Sequence, residues 1–133
     1  MAGSSEIVVT LPGRRRIDAA VGPHLVHTDQ PRDNGGEDAA PSPFQLFLAS
    51  IGTCAGIFIQ GFCAKREIPT DGIRVVERPS YAEDGTLAAV DLRIELPASF
   101  PEKYREALLR VVDQCSVKRA IAAQPRFDVR IGS

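Results

Sequence analysis

Residues 41–66 read PSPFQLFLASIGTCAGIFIQGFCAKR, a single long helix that carries two of the chain's three cysteines. Ser42 stands where an N-cap belongs. Pro43 occupies the first helical position, where its missing N–H would be unpaired anyway, and Gln45 follows the cap by three residues, as a capping box requires. From Leu46 to Ile59 there is no charge and no clear polar face, so this helix is expected to be surrounded by protein. Ala49, Gly52, Thr53 and Gly56 recur at helical spacing and let another backbone approach on that side, with Cys54 beside them. A membrane span is the competing reading, since Gly52 and Gly56 make a GxxxG pair in an apolar run. Gln45 and Gln60 interrupt the run and leave about 14 uninterrupted residues where a span needs about 20. The segment is therefore read as a buried central helix, with no membrane partner.

The chain around it has 133 residues, a length that suits one domain, residues 1–133, with a core of its own. Apolar residues make up 44% and charged ones 25%, which places it among ordinary folded soluble proteins. A net charge of −1 gives no general attraction to nucleic acid or to anionic lipid, so neither is expected as a partner. Three cysteines in such a chain are no disulfide scaffold and fit a reducing cytoplasm. The opening MAGSSEIVV lacks the basic stretch and long apolar run of a signal peptide, which also points to the cytoplasm.

Before the helix, Ile7 to Thr10 and Arg16 to Val21 read as strands closed by Pro12-Gly13 and Gly22-Pro23, and Leu25-Val26 as part of a third. His24 and His27, three apart on a strand, point to opposite faces and make a poor metal site, so they are read as surface residues. Asp29 to Ala40, DQPRDNGGEDAA, is a loop that either walls a pocket or simply connects. After the helix, Ile68-Pro69 and Asp71-Gly72 are stop signals. Ile73 to Glu77 reads as a strand. Val90, Leu92, Ile94 and Leu96 alternate with polar residues to complete a hairpin with one buried face. Tyr104, Leu108, Val111 and Val112 mark an amphipathic helix within Pro101–Gln114. Ser116 is placed as the cap of a short third helix reaching about Ala123, and Phe127, Val129 and Ile131 alternate in a closing strand. This order predicts an α+β fold, an antiparallel sheet packed on a long central helix and a second helix pair. A helix apolar on every side is more than one small sheet can cover, so a homodimer is expected.

Cys54 and Cys63 lie on opposite faces of the helix, about 13 Å apart along its axis, and cannot pair with each other. Cys115 stands at the break between the second and third helices, from which a thiol can approach one fixed on the central helix. Free cysteine is often only a small buried hydrophobe, and Cys63 is read that way. A reactive thiol needs a nearby positive group to lower its pKa. Arg14, Arg15 and Arg16 at the tip of the first hairpin are the concentrated supply, unless they simply form a solvated turn.

The run PSPFQLFLASIGTCAG resembles the central-helix signature of the OsmC/Ohr family, a proline-led segment rich in leucine and alanine that ends in a cysteine. QCSVKRAI resembles the family's second cysteine segment, often His-Cys-Pro, and Gly13-Arg14 and the GGED loop also match, so the likeness covers nearly the whole chain. The resemblance implies an intertwined α+β homodimer with sites at the interface. It also implies a cofactor-free thiol peroxidase that acts on organic hydroperoxides and is reset by an external dithiol. In that scheme Cys54 is the peroxidatic nucleophile and Cys115 the resolving thiol, while Arg14 or else Arg16 holds the thiolate and polarises the peroxide. No metal is involved. Two positions depart from the pattern. Phe44 stands where the organic-peroxide branch has a glutamate that holds the arginine, and the second segment reads Gln114-Cys115-Ser116. Both place the chain nearer the OsmC-like branch. They also keep open an alternative of another class, a non-catalytic dimer that binds an apolar small molecule or senses redox state.

Overall fold

The structure is a computed structural model that describes residues 6–132. It divides into two compact units, one ending at Phe47 and the other starting at Leu48.

In the first unit, β1 (Ile7–Gly13), β2 (Arg16–Val21) and β3 (His24–Thr28) form an antiparallel meander in that order. Gly13 pairs with Arg16 and Val21 with His24, so each hairpin turns on two residues, Arg14-Arg15 and Gly22-Pro23. Such turns demand left-handed backbone. Gly22 meets that demand at φ 57° without a side-chain penalty, whereas Arg14 adopts φ 58° with a full side chain. Every residue of β1 is exposed, its apolar ones included. The loop from Asp29 to Ala40 closes on itself. The Asp29 carboxylate, 1% exposed, accepts the backbone N–H of Gln30 at 2.8 Å, Ala39 at 3.1 Å and Glu37 at 3.3 Å. A Cβ on Gly36 would lie 2.0 Å from the Gln30 carbonyl oxygen, so only glycine fits where the loop folds back.

α1 (Pro43–Lys65) begins as its sequence requires. Gln45 N–H donates to Ser42 Oγ at 3.3 Å and Ser42 N–H donates to Gln45 Oε1 at 2.9 Å, the two halves of a capping box. It ends without glycine or proline. Glu67 takes φ 54°, Ile68 N–H reaches back to the Cys63 carbonyl at 2.9 Å and Glu67 N–H to that of Ala64 at 3.3 Å. This is a Schellman motif, and Ile68 supplies the apolar contact that usually accompanies it by packing against the core.

The second unit's core is built on one stripe of α1: Ile51, Ala55, Ile59, Phe62 and Cys63 are buried. Most of them pack with Phe100, Leu108 and Val112. β4 (Arg74–Tyr81) and β5 (Leu87–Glu95) form an antiparallel hairpin, from Arg74 opposite Glu95 to Tyr81 opposite Leu87. Val90, Leu92 and Ile94 sit on the less exposed face of β5, alternating with Asp91 and Arg93 as predicted. Gly52 leaves room for a side chain of β4, since a Cβ there would stand 2.7 Å from Glu77 Oε1. After a 3-10 turn at Glu102–Tyr104 come α2 (Arg105–Val112) and α3 (Ser116–Ala122). The mixture of helices and antiparallel strands is the α+β arrangement predicted.

Two expectations need correction, and the cover expected for α1 is incomplete within one chain. α1 is long and apolar enough to cross a membrane by length and composition, with mean hydropathy 1.8 over its best window, yet only 33% of that window is buried. Within one chain the helix is thus covered on one face, and Ala49, Thr53, Ile57 and Gln60 stay exposed along the other, the face expected to meet a second copy. Among the described residues the closing strand is absent: residues 125–132 have no strand assigned, and Phe127, Val129 and Ile131 are 84%, 95% and 100% exposed. Alternation prepares a strand, but only a neighbouring edge can complete one. Finally, Cys115, not Ser116, occupies the N-cap of α3 and Ser116 is its first residue.

Candidate active site

Cys54 is held half-buried by α1, and Cys115 is buried at the bend between α2 and α3. The bend exists because Asp113 ends α2 and Cys115, at φ −51° and ψ 133°, leaves helical space before Ser116 re-enters it. The Cys115 side chain acts on the Cys54 sulfur and lowers its pKa, and Ser116 Oγ lies 3.6 Å from Cys54 Sγ, within reach of a hydrogen bond. All three cysteines are free thiols. The two sulfurs singled out from spacing and family likeness are therefore neighbours.

Their acidities diverge. Burial of Cys54 opposes ionisation but is outweighed by hydrogen bonds from the Cys115 thiol, the Val117 N–H, the Ser116 hydroxyl and the Ser116 N–H, which bring the thiol down to about 7. Cys115 moves the other way. Burial, then the bond it gives to Cys54, hold it above the usual cysteine value, and the N–H groups of Lys118 and Val117 only temper the effect. One sulfur is poised to be an anion beside another that keeps its proton. Against Cys115 lies a cavity of about 470 Å³ with a mostly apolar lining that includes Ile51, Val90, Leu92, Leu109 and Ile121. Asp113 and Lys118, joined by an ion pair, supply its polar part.

Arg14 and Arg16 belong to the first unit, where both grip Glu37: Arg14 through an ion pair to Oε2, Arg16 at 2.9 Å to Oε1. Arg16 Nε also stands 4.0 Å from the Asp29 carboxylate, while Arg15 lies along Gly35. The hairpin arginines are thus not simply solvated. Phe44, at the position of the family's glutamate, stacks on Phe47 with centroids 5.5 Å apart, and Glu37 from the preceding loop is the carboxylate that engages both arginines.

The sequence reading missed Glu37 as the partner of the hairpin arginines and the Ser116 hydroxyl as a neighbour of Cys54. Glu37 lies 21 residues from Arg16 and only the closed loop brings it there. Ser116 did carry a signal, a hydroxyl directly after the second cysteine, but it was read as a cap. Cys63 is fully buried, and burial pushes its thiol up against a weaker pull from Arg66, in keeping with a packing role. Among the described residues no group of three or more His, Cys, Asp or Glu is placed to hold a metal ion. His27 instead pairs with Asp18 across the sheet at 2.9 Å.

Sequence comparison matches residues 35–130 to a family described as OsmC-like protein. No curated protein sequence matches the chain. Among solved structures, a protein described as osmotic-stress-induced and detoxification-response, from Psychrobacter arcticus 273-4, superposes with TM-score 0.75 at 22% identity over 90% of each chain. An OsmC-like protein from Mycoplasma pneumoniae gives 0.72 at 14% identity, covering 93% of this chain and 91% of that one. An organic hydroperoxide resistance protein from Legionella pneumophila gives 0.55 at 21% identity over 91% of each chain. At these identities the likeness is one of fold.

Proposed function

This chain belongs to the OsmC-like protein family, and from that premise we propose that it is a thiol-dependent peroxidase acting on organic hydroperoxides. What supports the reading is the gathering of Cys115 and Ser116 at Cys54, with the Ser116 hydroxyl 3.6 Å from its sulfur and the Cys54 thiol lowered to about 7. The Cys54 thiolate attacks the terminal oxygen of R–O–OH. The O–O bond breaks, the sulfur becomes a sulfenic acid and the alkoxide leaves, taking a proton from solvent as the alcohol. The Cys115 sulfur then displaces hydroxide from the sulfenic acid, and its proton completes water as the disulfide forms. A dithiol from outside resets the pair by exchange and is itself oxidised. The apolar cavity beside Cys115 suits the organic part of the substrate. The role that the family likeness gives to Arg14 or Arg16 is part of the proposal, and the turnover of Arg14→Ala and Arg16→Ala tests it.

The functional particle in this reading is a cytoplasmic homodimer. A second copy would cover the open face of α1 and give the unpaired segment at Phe127–Ile131 an edge to join. The same apolar cavity, with Phe44 in place of a glutamate, favours the second reading, a binding or redox-sensing protein without turnover. Titrating the reduced protein with one equivalent of cumene hydroperoxide and counting thiols separates thiol chemistry from binding alone, and continued consumption with added dithiol separates a peroxidase from a sensor. Loss of two thiols, abolished in Cys54→Ser, is the expected result; no loss of thiols rejects the peroxidase.

A further inference from the structure

We propose that Ser116 is a catalytic residue of this centre, its hydroxyl donating to the Cys54 sulfur and holding it as the anion that attacks. The purpose of that contact rests on the peroxidase reading; its existence does not. Three observations lead to it. Ser116 Oγ is 3.6 Å from Cys54 Sγ, within reach of a hydrogen bond to sulfur. A hydroxyl carries one proton that rotates to suit its partner, and an ionised thiol can only accept, so once Cys54 is charged the proton points at sulfur. Ser116 is exposed, and as the first residue of α3 its side chain has no capping duty that would compete.

Chemistry separates Ser116 from the other donors. The Cys115 thiol also bonds Cys54, but its hydrogen leaves when that sulfur closes the disulfide. The N–H groups of Ser116 and Val117 are fixed by the backbone and cannot turn. The serine hydroxyl is the donor that is neither consumed nor rigid. It holds the thiolate before attack and is free to hold it again when an external dithiol releases it. A bond from a neutral donor to an anion is charge-assisted and stronger than its neutral counterpart, so it favours the charged state of Cys54.

The test is the pH profile of Cys54 alkylation by iodoacetamide, with the modified residue located by mass spectrometry, in the parent, Ser116→Ala and Ser116→Thr. Alanine at this position leaves the backbone N–H groups and the start of α3 in place, so only the hydroxyl is removed. The parent midpoint is expected near 7. In Ser116→Ala it rises by about one pH unit, equivalent to a tenfold loss of thiolate well below the midpoint, and in Ser116→Thr it returns. Coincident profiles for the parent and Ser116→Ala overturn the proposal, and so does an equal displacement in Ser116→Ala and Ser116→Thr, which would mean a merely structural role. A parent that consumes no hydroperoxide but shows the shift and its rescue rejects the peroxidase, and with it the catalytic purpose, and leaves the Ser116 hydrogen bond to the Cys54 thiolate standing. A parent that turns over hydroperoxide with no shift in Ser116→Ala rejects this assignment alone.

Discussion

Cys54 and Cys115 act on each other through their side chains, which lowers the pKa of Cys54 alongside the Ser116 and Val117 donors and adds to the burial that raises that of Cys115. Cys115 becomes harder to ionise and Cys54 easier. Together with the difference in burial, this sorts the two thiols into an attacking sulfur and a waiting one before any peroxide arrives.

The sorting fixes what happens when the waiting sulfur is removed. In Cys115→Ser the first oxidation still occurs, but the sulfenic acid has no thiol to condense with. Excess cumene hydroperoxide should then carry Cys54 on to sulfinic acid, read as two added oxygens by intact mass. Without a dithiol, hydroperoxide consumption should stop once Cys54 is overoxidised.

The pH dependence follows from the direction of the Cys54 shift. The thiolate is the nucleophile, so the rate of thiol loss to hydroperoxide should fall below about 7 and level off above it. An unperturbed cysteine would still be gaining rate up to its usual value of 9.0. Stopped-flow thiol consumption between pH 5 and 9 distinguishes the two curves.

Asp29 makes the loop of the first unit sensitive to acid. Backbone N–H donors, Gln30 first and then Ala39, hold its carboxyl below the usual 3.8, against the opposing effect of burial, with help from Glu37 N–H and Arg16. A depressed folded-state value means stability that is present above the unfolded pKa and lost as pH falls through the folded one. Hydrogen exchange at Glu37 and Ala39 should therefore stay slow at neutral pH and quicken below about pH 4. In Asp29→Ala it should be fast throughout.

Glu37→Ala removes the acceptor shared by Arg14 and Arg16. All three side chains are substantially exposed, so the loss of stability should not exceed about 1 kcal/mol in thermal or urea unfolding. If either arginine serves the reaction, the same variant should change hydroperoxide turnover far more than it changes the melting temperature.

The dimer proposal predicts a mass of two chains by light scattering. Val129→Asp with Ile131→Asp places charge on side chains that are almost wholly exposed in a single copy, so it should leave the isolated fold intact. It should nonetheless shift the mass toward one chain, because the charges would have to be buried against a partner. An unchanged mass would mean that the C-terminal segment takes no part in association.

What could be read from the residues was what is local. Ser42, Pro43 and Gln45 announce the start of α1 because a capping box is contained within four positions. The alternation from Val90 to Ile94 announces a buried sheet face in the same way. The end of α1 was placed correctly for a different reason than the one that acts. Pro69 and Gly72 suggested a stop, but the stop is made by Glu67 in a left-handed conformation that no propensity favours. The closed loop was opaque because its organiser, Asp29, looks like any other acidic loop residue until its three backbone donors are seen. Phe127 to Ile131 misled because period-two patterning is a property of the segment, whereas pairing is a property of two segments. The cysteine pair was legible from family likeness, but the hydroxyl next to it was not, since a serine ahead of a short helix is so often only a cap.

One three-residue bend, Cys115–Val117, contributes the second thiol, the neighbouring hydroxyl and two of the amides that surround Cys54. Function and local chain length are therefore locked together there. A one-residue insertion or deletion between Asp113 and Val117 should disable acid strength, resolution and the onset of α3 in a single stroke. The turn at Glu83–Gly85, with no such duties, should tolerate the same change in length.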